Sequence, residues 1–204
     1  MRNLKRALSL AMASVMTLGM MTVGASAKGI ADFSDAAEIT NVDAVAVTSA
    51  VGIFKGYEDG EFKGENVVTR AEMAVICAKL LRGADVDPAQ FTGINNFTDV
   101  PAWAEGYVNL CASLGIIAGR GDGIFDPSAT VSTVEAASML TKTLGYFQNQ
   151  KDYGSDWKLA ADAGLTRDSV AELVFNTMTK AVPVDYNELL GVYGVGFFRG
   201  GWSG

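Results

Sequence analysis

Histidine is absent from the 204-residue chain. That removes Ser-His-Asp and Cys-His nucleophile arrangements and histidine-based metal sites. Cysteine is nearly absent too: Cys77 and Cys111 are the only two, too few for a disulfide framework. Both fall on apolar helical stretches, where a free thiol behaves as a small hydrophobe. An exported chain would also permit a bridge between them, and sequence alone leaves both states open. Long apolar runs are missing after residue 27, since no later stretch reaches the ~18 residues that a membrane span requires. Positive charge is short as well, with 16 Lys and Arg against 23 Asp and Glu.

The one long apolar run stands at the start. Arg2, Lys5 and Arg6 precede an apolar, Met-rich stretch over residues 7–24, and Ala25-Ser-Ala27 forms an A-x-A site. This is the layout of a secretory signal peptide over residues 1–27. The alternative, an uncleaved membrane anchor, is disfavoured by the well-formed small-residue site and the lack of stop-transfer charges after it. Cleavage would remove three basic residues and no acidic one, leaving 13 basic against 23 acidic residues and a net charge of −10. A chain this acidic argues against nucleic acid and anionic lipid as bulk partners.

What is present is organised around residues 52–82, GIFKGYEDGEFKGENVVTRAEMAVICAKLLR. Thr69 is a good N-cap, and Glu72 three residues on completes a capping box. Val68 and Met73 stand at the positions of a hydrophobic staple. Apolar Met73, Ile76, Cys77, Leu80 and Leu81 recur at helical spacing, so one face of this helix is core. Capping leaves Arg70 unexplained, because a first-turn cation opposes the helix dipole. On that ground its removal is expected to cost little folding energy.

The pattern returns about 63 residues later, which points to repeats. Residues 115–125 read GIIAGRGDGIF against GIFKGYEDGEF at 52–62, and Ser132 and Glu135 keep the capping-box spacing. Phe97-Thr-Asp99 answers Phe33-Ser-Asp35. A shorter third copy, from Gly164 through Thr166, Arg167 and Ser169, leads into the apolar helix 170–178 without an Asp-Gly turn. Helices are expected over 41–51, ended by Gly52, on a segment carrying Trp103, Val108, Leu110 and Leu114 and ended by Gly115, and over 156–163. Residues 82–94 read as a surface connection. The acidic turn at Tyr57-Glu-Asp59 lacks the spaced ligands of an EF-hand, so no metal site is expected. Arg120-Gly-Asp122 spells an adhesion tripeptide, but Gly121 and Asp122-Gly123 occupy the same turn as Glu58 to Gly60, and turn chemistry explains it.

In order and in kind, these motifs resemble the S-layer homology repeat of bacterial surface proteins: an F-x-D start, a helix, G-I-I-x-G, a D-G-x-F turn and a T-R-A-E helix. The resemblance implies an all-α fold of three repeats around a pseudo-threefold axis with loops as prongs. It divides the chain into a signal peptide at 1–27, repeats at 28–91 and 92–147, a shortened repeat at 148–186 and a Gly- and aromatic-rich tail at 187–204. That tail reads equally as a linker, an edge strand or the cut end of a longer chain.

The resemblance further implies a secreted, non-enzymatic module of the Gram-positive cell wall, binding a secondary polysaccharide without cofactor or metal. Its pyruvyl ketal would sit at a capped helix N-terminus, where free N–H groups favour an anion. Arg70 or Arg167 would add a bidentate contact. Asp35, Asp99 and the backbone of Gly56 or Gly119 would take sugar hydroxyls. Trp103 has two readings, packing at a joint between repeats or stacking on a sugar ring. Repeat two departs from the family pattern, with Thr133 and Val134 in place of Arg-Ala. The alternative function is a structural surface-layer subunit whose repeats act mainly in self-assembly, which would not need arginines at a sugar-sized groove. A catalytic role lacks support, because the carboxylates of Glu58 and Asp59 sit on a solvated turn with nothing to raise a pKa.

Overall fold

The computed structural model describes residues 28–94, 97–146, 164–180, 184–187 and 192–195. The expected signal peptide, the helix expected over 156–163 and the end of the tail lie outside them. Among these residues, five helices carry the fold: α1 (Val42–Ala50), α2 (Arg70–Arg82), α3 (Ala102–Ser113), α4 (Thr133–Thr143) and α5 (Arg167–Thr179). The fold class is all-α. Among the described residues, named strands are confined to an antiparallel hairpin of β1 (Val184–Asn187) and β2 (Val192–Val195), paired from Val184↔Val195 to Asn187↔Val192.

Local chemistry sets the helix ends. At α2, the Thr69 side chain accepts from the Glu72 N–H at 3.2 Å, and Glu72 Oε2 accepts from the Thr69 N–H at 2.8 Å. Ser132 and Glu135 repeat the box at α4. Thr166 caps α5, accepting from the Ser169 N–H at 3.3 Å. Gly52 and Gly115 follow α1 and α3 at φ 78° and 69°, a region that glycine enters without a Cβ penalty. Asn41 starts α1 without capping it, and donates instead to Asp168 on α5 through its N–H (3.1 Å) and its Nδ2 (2.7 Å).

One continuous core joins the five helices. Val45 of α1, Met73 and Cys77 of α2, Val108 of α3, Met139 of α4 and Val170 and Val174 of α5 are all buried in it. Helix α2 packs on α3 and α4, α1 packs on α5, and α4 packs on α5. Leu80 and Leu81, expected in the core, are only partly buried. The connection between repeats is tied down by a short helical turn, Pro88–Phe91, whose Phe91 carbonyl accepts from Asn109 Nδ2 at 2.8 Å. Cys77 and Cys111 are free and buried. Burial pushes the Cys77 thiol up to about 12, so it behaves as an inert hydrophobe.

The residues just ahead of the three caps bond to one another in a ring. The Val68 N–H donates to the Leu165 carbonyl (2.8 Å), Leu165 to Val131 (3.1 Å) and Val131 back to Val68 (2.9 Å). Each of the three residues thus supplies one donor and one acceptor to the other two.

Candidate functional site

The ring aims two helix starts into turns of other repeats. The Arg70 and Ala71 N–H groups of α2 donate to the Ala129 and Pro127 carbonyls of the second repeat at 2.9 and 3.1 Å. The Arg167 and Asp168 N–H groups of α5 donate to the Asn66 and Gly64 carbonyls of the first repeat at 2.7 and 3.0 Å. Two junctions result. The first joins α2 to residues 118–129, and the second joins α5 to residues 55–66.

Both turns are built alike. Asp99 accepts the Phe125 and Asp126 N–H groups at 2.9 and 2.7 Å, and Asp35 accepts those of Phe62 and Lys63 at 2.7 Å each. Burial works to raise both carboxyl pKa values, but these backbone donors hold them below the ordinary value. Each oxygen keeps a lone pair for a further donor. Phe33 and Phe97 lie under the turns, so a Cβ on Gly56 would come to 2.6 Å from the Phe33 ring, and one on Gly119 to 2.6 Å from the Phe97 ring. Glycine is required there by close approach.

The arginines complete the junctions from the neighbouring repeat. Arg70 donates from Nε to the Phe125 carbonyl (3.0 Å), from Nη2 to that of Ala118 (3.0 Å) and from Nη1 to Glu135 (2.8 Å). Arg167 donates from Nε to Phe62 (2.9 Å) and from Nη2 to Lys55 (3.0 Å). Arg70 lies 4.7 Å above the Phe125 ring, and Arg167 lies 4.8 and 4.9 Å from the Tyr57 and Phe62 rings. Only 7% and 8% of these residues' surfaces are exposed. Burial lowers both guanidinium pKa values, at Arg70 with Arg120 adding to it and Glu135 opposing.

These contacts revise the expectation that Arg70 is dispensable for folding. The dipole argument weighed a solvated cation, whereas this one is buried and clamps a turn of another repeat. Of the residues singled out from sequence, Asp99, Gly119 and Arg70 meet at the first junction, and Asp35, Gly56 and Arg167 at the second. Trp103 stands apart from both hydrogen-bonded sets, 56% exposed on the first turn of α3. Sequence reasoning missed Tyr57, Arg120 and Glu135 as junction residues. The 63-residue offset, which equates Tyr57 with Arg120 and Glu72 with Glu135, held the signal for them. Arg120 folds back onto Asp126 and Glu135, each at 3.3 Å, and its tripeptide forms an ordinary tight turn closed by the Ile124 N–H on the Gly121 carbonyl.

Among the described residues, no helix is long and apolar enough to cross a membrane and no cluster of His, Cys, Asp or Glu is suited to hold a metal.

A family model described as the S-layer homology domain matches residues 32–74 and 96–137. The chain is 32% identical over 168 residues to a cell surface protein of Thermoanaerobacter kivui, covering 81% of this chain and 22% of that protein. It is 33% identical over 142 residues to a surface layer protein of Brevibacillus choshinensis, covering 67% and 12%. It is 39% identical over 92 residues to a cellulosome-anchoring protein of Acetivibrio thermocellus, covering 44% and 20%. The chain therefore spans no more than 22% of the length of these relatives.

Proposed function

The chain carries two S-layer homology domains, at residues 32–74 and 96–137, and from that premise we propose that it is a non-covalent cell-wall anchor acting outside the cell. The observation that carries this reading is the pair of inter-repeat junctions. Each combines a capped helix N-terminus, a buried arginine, a turn-holding aspartate and a glycine with no room for a side chain. The first N–H groups of each helix are taken by its cap and by the neighbouring turn, so the charged contact falls to the arginine. The constellation suits an oxygen-rich, anionic ligand and performs no bond chemistry. The ligand is a secondary wall polysaccharide bearing a pyruvyl ketal. Asp35 and Asp99 accept sugar hydroxyls on their remaining lone pairs, and the Gly56 and Gly119 backbones line the approach. Trp103, exposed on the first turn of α3 and apart from both hydrogen-bonded sets, offers a separate stacking face. Arg167 and Arg70 supply the cations.

The three repeats, the third a shortened one within 148–186, stand around a pseudo-threefold axis, a reading that the ring of Val68, Leu165 and Val131 supports. Residues 1–27 export the chain. The relative named as a surface layer protein supports a second role, self-assembly with other surface-layer subunits. Co-sedimentation with purified sacculi tests the anchor. The chain should pellet with intact sacculi and stay in solution with sacculi stripped of their secondary polymer, and equal pelleting with both would turn the reading towards assembly or peptidoglycan.

A further inference from the structure

Helix α3 packs on two of its three sides. Ala104, Val108 and Cys111 are buried on the side that meets α2, where the Cys111 thiol donates to the Ala74 carbonyl at 3.4 Å. The second side takes the connection between the repeats. There Asn109 Nδ2 donates to the Phe91 carbonyl at 2.8 Å and the Gly93 N–H donates to Glu105 at 3.0 Å. A Cβ on Gly106 would run into the Pro88 carbonyl. The third side carries Trp103, Tyr107 and Leu114, at i, i+4 and i+11, a spacing that sets them in one stripe along the helix. Trp103 is 56% and Leu114 51% exposed, with Tyr107 half-buried between them.

The repeat fold does not require this stripe. Gly52 and Gly115 align α1 with α3, and Val51 and Leu114 are the C-caps of the two helices. Thr40, Ala44 and Val51 then stand in the places of Trp103, Tyr107 and Leu114, so α1 forms without an aromatic side chain there. Nor does the stripe carry charge. The one charged residue of α3 is Glu105, which lies on the opposite side and is engaged by Gly93. Residues 28–204 hold 13 basic and 23 acidic residues, so an uncharged stripe is where an anionic polymer meets this chain without repulsion. Indole and phenol rings, apolar on their faces and polar at their tips, match the C–H face and hydroxyl rim of a pyranose. Trp103 and Tyr107 stand about 6 Å apart along the helix axis, close to the advance of one linked sugar ring.

We propose that the Trp103–Tyr107–Leu114 stripe of α3 is a second carbohydrate contact, stacking on uncharged pyranose units of the wall polymer apart from both junctions. This rests on the anchoring reading above and adds to it a contact that does not depend on the pyruvyl group. Two weak contacts on one polymer reinforce each other, because the second forms within a complex that is already bound.

The test follows the indole Nε1–H signal of Trp103 by NMR while the full chain is titrated with oligosaccharides released from the wall polymer and freed of pyruvyl groups by mild acid. Trp103→Thr, which copies the residue at the equivalent place before α1, assigns the signal and removes the platform. In the parent the Trp103 signal should move saturably, and equally at about 50 and about 500 mM salt, since no charge is there to be screened. Trp103→Thr should bind the same oligosaccharides roughly tenfold more weakly, with its melting temperature unchanged because the residue is exposed. Trp103→Phe keeps a stacking ring and should retain most of the affinity. A Trp103 signal that ignores the oligosaccharides, or equal binding by the parent and Trp103→Thr, would overturn the proposal. So would equal loss in the Thr and Phe variants, or a Trp103 signal that shifts with protein concentration alone, the mark of a second copy covering the stripe. Sacculus co-sedimentation separates the two failures. A silent Trp103 in a chain that still pellets with intact sacculi removes only the stripe, whereas a parent chain that stays in solution removes the anchoring reading.

Discussion

Val131 donates its N–H to the Val68 carbonyl at 2.9 Å, joining the residue before the Ser132 cap to the residue before the Thr69 cap. Leu165 closes the ring on both, so the segment leading into each capped helix is completed only by its neighbours.

Unfolding should accordingly be a single cooperative transition. Thermal melts followed by far-ultraviolet and near-ultraviolet dichroism should coincide. A fragment lacking residues 156–181 should lose the ring, expose the core faces of α1 and α4, and aggregate. A monomeric fragment with an unchanged melting temperature would mean independent repeats.

Arg70→Ala should be strongly destabilising, by about 3–5 kcal/mol, the range for breaking a buried ion pair from one side. It strips donors from the Phe125 and Ala118 carbonyls and leaves Glu135 short of a partner. Thr69→Ala should cost less, about 1 kcal/mol, through loss of the cap. Urea denaturation of both variants checks the order, and a near-neutral Arg70→Ala would contradict the clamp.

Acid should loosen the turns before the core. Asp35 and Asp99 have folded pKa values held below the ordinary carboxylate value. Their contribution is therefore full above the unfolded value of about 3.9 and is lost as pH falls through the lowered folded value. Stability should drop below about pH 4, and Asp35→Asn with Asp99→Asn should flatten that drop while lowering stability at neutral pH. Urea titrations from pH 2 to 7 measure it.

Lys79 works in the opposite sense. Its folded pKa of about 8 lies below the ordinary 10.5, so between these values the unfolded chain binds more protons than the folded one. Stability from this group should rise with pH across that window. The difference between the parent and Lys79→Met, measured by denaturant titration from pH 7 to 10.5, should carry that slope, and a flat difference would show Lys79 to be solvated.

Much of this architecture was legible in the chain. The capping boxes at Thr69 and Ser132, the glycine stops at 52 and 115, and α1 to within one residue at each end all depend on spacing within a few residues. The turn aspartates and glycines stood out because they recur in the second repeat, Asp35 as Asp99 and Gly56 as Gly119. What stayed hidden was which turn each arginine enters. Arg70 serves the second repeat and Arg167 the first, a crossing set by the backbone ring between distant segments. The burial of those cations was hidden for the same reason, since their carbonyls and rings come from another repeat. The neutralising role of Glu135 followed only once Arg70 was seen beside it.

The central claim is that the wall polymer binds at the inter-repeat junctions, and amide hydrogen exchange with solubilised polymer tests it most directly. Protection should concentrate in residues 55–63 and 118–126 and in the first turns of α2 and α5. Protection confined instead to the β1–β2 hairpin or the outer faces of α1 and α3, with both junctions unchanged, would contradict the account.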